Sequence, residues 1–310
     1  MPAVPGGQPV EIPEGLLAVG SRGPDWAGWL DGLPRLVREL LESWELRVDG
    51  PSAYGNCALV VPVLTRAGER AVLKVQFPHW EAETEHLALR DWAGNGAVQL
   101  LRADPRRFAL LLERLEPRDL TTIDALDACE IVGRTYKRLH VVAGPQYRTL
   151  SGELRRWVEG FRQLPASAPV PHRYVEQAIS LAEDFIADPA TDGRLIHTDL
   201  HYENMLAADR EPWLVIDPKP LSGDPHYEVA PLIWNRWDEV AAAYDLRFAL
   251  RQRFWTVVDA AGLDEDRARA WVVVRQMLNV LWTLQESTGD RTLPRDWLTR
   301  NIAIVKAIQA

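Results

Sequence analysis

Apolar residues recur at helical spacing from Asp25 onward, where DWAGWLDGLPRLVRELLESW carries the stripe Leu33, Leu36, Val37, Leu40 and Leu41. Pro34, whose fixed φ suits a first helical position, is expected to start the main segment of that helix. Residues 1–15, rich in Pro and Gly, read as a loose arm ahead of it. The period then changes. From about Leu46 to Val75 the runs ELRV, CALVVPVL and RAVLKV are short and β-branched, which is strand chemistry. The first two are separated by GPSAYGN, a loop between antiparallel strands. HWEAETEHLALRDWAG returns to helix, with Leu87, Leu89 and Trp92 ahead of a Gly stop. Residues 97–101 and 108–112 read as two more strands joined by the solvated turn RADPRR. Beyond Leu120 the pattern is mostly helical: IDALDACEIVGRTYKRLHVV, LRRWVEGFRQL and YVEQAISLAEDFIA, then long helices from about Tyr227 to Gly262, Asp264 to Ser287 and Arg295 to Ile308. One interruption stands out. MLAADREPWLVI places two short apolar runs around a polar turn, the mark of a hairpin. The chain thus divides into a β-rich part, residues 1–116, and a mainly helical part, residues 117–310, an α+β arrangement.

Composition narrows the classes. A chain of 310 residues has ample apolar content for one large or two modest cores. Two cysteines, Cys57 and Cys129, give no disulfide framework, and a reducing compartment follows. The first basic residue is Arg22, so no positively charged leader precedes an apolar run. WVVVRQMLNVLW is broken by Arg275 and too short to span a bilayer. The expectation is a cytoplasmic monomer with no membrane partner. A formal charge of −9 argues against a nucleic-acid partner and suits a cationic small molecule, although surplus acid also serves solubility. Most of the thirteen Trp, among them Trp255, Trp271 and Trp282, fall in helical patterns and are expected in the core.

The chemistry concentrates in LIHTDLHYENMLAADREPWLVIDPKP, residues 195–220. It holds His197-x-Asp199, then Asn204 five residues on and Asp217 thirteen beyond that, with the hairpin between the last two. Phosphoryl transfer from ATP needs a carboxylate beside the attacking hydroxyl and oxygen ligands for Mg²⁺. Asp199 suits the first task, and Asn204 and Asp217 suit the second. His197-x-x-x-His201 as a zinc pair would require a helix immediately before a hairpin and lacks the Glu that follows the first His in such motifs. That reading is rejected, and His197 is expected to buttress the loop backbone. Gly223-Asp224-Pro225 reads as a tight turn tying the loop down.

Two features of the β-rich part fit a nucleotide. Gly50-x-x-x-x-Gly55 is followed by Asn56-Cys57 where a Walker loop has Lys and Ser/Thr, so it is not one. Small residues around Gly55 would instead let backbone amides approach phosphate. Lys74, apolar on both sides in AVLKV, needs a partner if buried, and Glu85 on the next helix is the choice, with Glu81 one turn earlier as runner-up.

IDPKP and DPKPLSGDP, with EHLALRDWAGNGAVQLLRADPRRFALLLERL, resemble the streptomycin 6-phosphotransferase and hydroxyurea phosphotransferase family of resistance kinases, from about Cys57 to Leu232. FALLLERLEP resembles a kinase hinge. The resemblance implies a bilobal protein-kinase-like fold, with Asp199 as base, Asn204 and Asp217 on Mg²⁺, and Lys74 with Glu85 on the ATP phosphates. Gly55 would lie over those phosphates, and the backbone of Glu113 and Leu115 against adenine. It points to a cationic acceptor such as streptomycin, for which Glu228, Asp238 and Glu239 are candidate contacts, with hydroxyurea or another small molecule as alternative acceptor. A protein kinase is disfavoured, because no docking segment follows Asp217. A non-catalytic nucleotide-binding module would retain no need for all five chemical residues. The chain departs from the pattern at Thr198, where many such kinases have Gly, and at Tyr202-Glu203 in place of a Pro-containing pair.

Overall fold

The computed structural model describes residues 10–286 and 295–309; the first nine residues of the predicted arm, and Ser287, lie outside them. The described chain forms two compact units. One contains the residues up to Pro117 together with Ala207–Leu214; the other contains Arg118–Leu206 and the residues from Val215 onward.

The first unit is built on an antiparallel sheet in the order Arg47–Val48, Ala58–Leu64, Arg70–Gln76, Ala109–Glu113, Leu100–Asp104, with Ala53–Tyr54 also paired to Ala58–Leu64. Alternation puts Leu59, Val61 and Val63 opposite Val75, Leu73 and Ala71 on one face. That face is buried under Leu33, Val37 and Leu40 of the helix Pro24–Ser43. Lys74, opposite Val60 and Leu110, therefore belongs to the other face.

Several boundaries differ from expectation. Pro34 lies inside the helix rather than at its start, which Pro24 occupies. A proline there forfeits one helical hydrogen bond, and the apolar contacts of Trp26, Trp29 and Leu30 on one side and Leu33, Val37 and Leu40 on the other hold the helix through it. The end of the predicted loose arm is anchored: Glu14–Leu17 and Ala18–Arg22 are helical, and Leu16 and Val19 are in the same core. GPSAYGN is not all loop: Ala53–Tyr54 within it is a strand paired to Ala58–Leu64, and Asp49 N–H just ahead of it donates to Pro62 O (2.9 Å). The turn proper is Gly55 to Cys57, closed by Gly55 N–H to Ala58 O (2.9 Å). The helix after Lys74 is only Glu85–Trp92. Arg102 to Asp104 belong to a strand, leaving Pro105–Arg107 as the turn, capped by Asp104.

In the second unit, Ala125–Leu139, Leu150–Arg162, His172–Ala187, Leu246–Ala261, Glu265–Glu286 and Arg295–Gln309 are helices. Their core gathers Phe161, Phe185, Tyr227, Trp271 and Met277. The expected helix from Tyr227 to Gly262 is broken into Pro225–Val229, Ala230–Trp234, Trp237–Ala241 and Leu246–Ala261. Arg236 takes a left-handed φ of 52°, and Asp245 caps a new start by accepting from Phe248 N–H (2.9 Å). Gly223 ends a short strand, Leu221–Gly223, paired with Arg194–Ile196, and not a tight turn. A Cβ on Gly223 would come within 2.3 Å of the Ile196 side chain, which would have to shift to admit it. The predicted hairpin forms from Met205–Ala207 and Trp213–Val215. Among the described residues no helix is long and apolar enough to cross a membrane.

Candidate functional site

In the first unit Lys74 Nζ donates to both oxygens of Glu85 (2.8 and 2.9 Å), and Gln76 Nε2 donates to Glu85 Oε2 (2.6 Å). All three are buried, at 7%, 1% and 4% exposure, so the charges are neither solvated nor unpaired. Glu85 is the first residue of its helix, which is why Glu81, back in the preceding turn, lies by His79 instead (3.6 Å). Gln76 was not read from the sequence, although it follows Lys74 by two on a strand and so shares its face.

Gly55 sits exposed in its turn, and a Cβ there would meet nothing within 4 Å. Glu113 has a different occupation from the one expected. Its N–H donates to Gln99 O (3.0 Å), and its carboxylate accepts from Arg210 Nε (2.9 and 3.0 Å) and Gln99 N–H (3.1 Å). Its amide is therefore committed within the sheet. Leu115 follows, half-buried, just past the strand. Arg210, at the hairpin tip, also donates to Gly94 O (2.7 Å) and Ala97 O (2.6 Å), which accounts for Ala207–Leu214 belonging to this unit.

In the second unit the loop between the two short strands carries His197, Thr198 and Asp199. His197 is fully buried; burial pushes its pKa down and keeps the ring neutral. Asp199 N–H donates to its Nδ1 (3.3 Å), so Nε2 carries the proton and donates to Ile216 O (2.8 Å). The buttress is as the sequence suggested. Asn204 Nδ2 donates to Asp199 O (2.8 Å) and lies 3.1 Å from His201 Nε2, so both contacts use the amide nitrogen and neither uses the oxygen. Ile216 N–H donates to Asn204 O (3.0 Å), which brings Asp217 alongside. Asp217 adopts a left-handed φ of 56°. Lys219 Nζ pairs with Asp199 Oδ2.

Thr198 is the strained residue. Its φ of 68° is a conformation a β-branched side chain rarely takes, at a cost of about 1–3 kcal/mol. Three bonds offset that cost: Thr198 N–H to Glu228 Oε1 (2.7 Å), Oγ1 to Lys219 O (2.7 Å), and Arg275 Nη2 to Thr198 O (3.4 Å). Glu228 Oε2 meets His140 Nε2 at 2.6 Å.

The three acceptor candidates differ in their surroundings. Glu228 is 1% exposed, with one oxygen on Thr198 N–H and the other on His140 Nε2, so it is engaged in holding the loop. Glu239 is exposed but taken by Arg236 (2.6 Å) and Arg253 (3.1 Å). Asp238 is exposed as well, with Arg300 its electrostatic neighbour. The sequence offered no signal for Glu228 and His140, which lie 88 positions apart. Among the described residues no group of three or more His, Cys, Asp or Glu could hold a metal by itself; His197 Nε2 is taken by Ile216 O and His201 Nε2 faces Asn204 Nδ2.

Residues 43–287 match the family described as aminoglycoside/hydroxyurea antibiotic resistance kinase. Streptomycin 6-kinase of Streptomyces glaucescens is 40% identical over 90% of this chain and 93% of that protein. Hydroxyurea phosphotransferase of Kitasatospora aureofaciens is 37% identical over 97% and 87%. Among solved structures, choline kinase LicA from Streptococcus pneumoniae superposes with a TM-score of 0.60 at 14% identity, over 89% of this chain and 99% of that one. Aminoglycoside phosphotransferase APH(4)-Ia, in a ternary complex with ADP and hygromycin B, gives 0.59 at 17% identity, over 87% and 97%. A β-sheet unit followed by a helical one, with these neighbours, is the protein-kinase-like fold, and on the strength of the sequence match the chain belongs to the aminoglycoside/hydroxyurea antibiotic resistance kinase family.

Proposed function

We propose that this chain transfers the γ-phosphoryl group of ATP to a hydroxyl of streptomycin, with Mg²⁺, in the cytoplasm. The observation that carries the reading is the segment in which Asn204 Nδ2 holds Asp199 O and Ile216 N–H holds Asn204 O next to Asp217, in a chain 40% identical to a streptomycin 6-kinase. Residues 1–116 act as the nucleotide-binding part, and residues 117–310 supply the base and the acceptor contacts. Lys74, oriented by Glu85 and Gln76, takes the ATP phosphates; the open backbone at Gly55 lies over them, and the chain at Glu113 and Leu115 borders adenine. Asp199 accepts the proton of the attacking hydroxyl.

The donor set fits Mg²⁺. One carboxylate and one amide oxygen are hard ligands, and the Asn204 nitrogen is already spent on the protein. Two protein oxygens suit an ion that keeps waters and takes further ligands from phosphates, supplying charge neutralisation to the transferred group. Of the acceptor contacts, Asp238 remains as the open acid for a guanidinium.

A second reading has its own support, the 37% identity to a hydroxyurea phosphotransferase across 97% of this chain. Purified protein assayed with ATP and Mg²⁺ against streptomycin, hydroxyurea and other aminoglycosides separates the two. Phosphorylated streptomycin is the expected product; turnover with hydroxyurea alone would favour the second reading.

A further inference from the structure

We propose that Lys219 is a positioning residue for Asp199, holding one carboxylate oxygen so that the other faces the acceptor hydroxyl. The inference rests on the reading of Asp199 as the base. Of the two Asp199 oxygens the ammonium pairs with Oδ2, and among the described residues no group binds Oδ1. Both partners start from fixed backbone. Lys219 stands between Pro218 and Pro220, whose rings limit the local dihedrals. Its N–H donates to His197 O (3.0 Å) and its carbonyl accepts from Thr198 Oγ1 (2.7 Å), so it is tied twice to the loop that carries Asp199. Asp199 is tied at both backbone ends, to His197 Nδ1 and Asn204 Nδ2. With the two stems pinned, the ion pair sets the rotation of the carboxylate.

The division of oxygens gives a balanced step. The acceptor O–H proton passes to Oδ1 as the new oxygen–phosphorus bond forms. The bond between γ-phosphorus and its bridging oxygen breaks, and ADP leaves with that electron pair. Lys219 keeps Oδ2 throughout and neither gains nor loses a proton. The side chains are 28% and 33% exposed, and such partly open pairs contribute only about 0–1 kcal/mol to stability. A purely structural role would therefore leave little trace on removal, whereas mispositioning a reacting group by about 1 Å can cost on the order of 10²-fold in rate.

The test compares Lys219→Met and Lys219→Arg in the full chain. Lys219→Met should lower kcat by roughly 10²-fold, with the KM for ATP and acceptor and the melting temperature nearly unchanged. Lys219→Arg should recover most of the rate, and Lys219→Met combined with Asp199→Asn should be no slower than Asp199→Asn alone. A wild-type kcat in Lys219→Met, a loss confined to the KM for ATP, or additive losses in the double variant would each overturn the proposal. A crystal structure of Lys219→Met decides it without any assay: the Asp199 carboxylate should leave its wild-type rotamer, and an unchanged orientation would overturn the assignment. Failure of the kinase reading is distinct, since wild-type protein would then phosphorylate no acceptor.

Discussion

Two lysine–carboxylate pairs, chemically alike, are built in opposite ways. Lys74 and Glu85 are sealed, with two oxygens and Gln76 engaged; Lys219 and Asp199 are about one-third open, joined through one oxygen. Removing one member of a sealed pair strands a charge in a low-dielectric interior, typically at 3–5 kcal/mol. Removing one member of the open pair lets water solvate the survivor. The sealed pair is thus a fixed part, stable in one geometry, while the open pair retains an oxygen that can exchange protons with a bound molecule. For the roles proposed above, rigidity suits a group that meets ATP phosphates, and access suits a group that meets a changing acceptor.

The comparison breaks first at Asp199. Asp199→Asn should lower kcat by about 10²–10⁴-fold, the usual contribution of a positioned base, while nucleotide affinity and melting temperature hold. The sealed pair should show the reverse emphasis. Glu85→Ala should destabilise the protein by about 3–5 kcal/mol in denaturant melts and weaken ATP binding. Lys74→Met with Glu85→Leu should cost less than the two singles summed, because no lone charge remains. Strict additivity would show that the two act independently.

Glu228→Gln probes the support beneath the open pair. The amide can still accept from Thr198 N–H, but its other end no longer matches His140 as a carboxylate does. A loss of about 1–3 kcal/mol in stability is expected, with a lower kcat as Thr198 relaxes from its left-handed φ. The surface acids should matter least. Asp238→Asn should raise the KM for streptomycin a few-fold, by the weight of an exposed charge pair of about 0–1 kcal/mol, whereas Glu239→Gln should leave it alone because Arg236 and Arg253 already hold that carboxylate. Salt should raise the same KM.

His197 gives a pH signature. Its folded pKa lies below the ordinary value of about 6.5, so the unfolded chain binds the extra proton. Stability is therefore present above about pH 6.5 and falls as pH drops through that value towards the folded pKa. Urea midpoints measured from pH 7.5 to 5.5 should decline, and a flat profile would show that His197 is not held neutral.

The chain reveals its two clusters unequally. Lys74 announces itself as a lone charge in an apolar strand, and the strand period places Gln76 on its side. Asp199, Asn204 and Asp217 are legible because one continuous segment carries all three at spacings a hairpin can close. Glu228 and His140 are hidden, since their meeting depends on how distant helical segments pack and neither has a local pattern. Arg210 was unreadable for the same reason: in sequence it is one of several charges in a polar turn, and its partners lie about a hundred positions away, at Glu113, Gly94 and Ala97. The long helix expected from Tyr227 fails where Arg236 adopts a left-handed φ, and its guanidinium there bonds Leu120 O (3.4 Å) and Ile123 O (2.8 Å). Local periodicity finds elements and contiguous motifs; it cannot see a partner supplied by tertiary packing.

The most direct test is mass spectrometry of streptomycin after incubation with purified protein, ATP and Mg²⁺. The account predicts a product heavier by one phosphoryl group, formed stoichiometrically with ADP and reduced to a trace with the Asp199→Asn protein. Unmodified streptomycin after prolonged incubation with the wild-type protein, or full phosphorylation by Asp199→Asn, would contradict it.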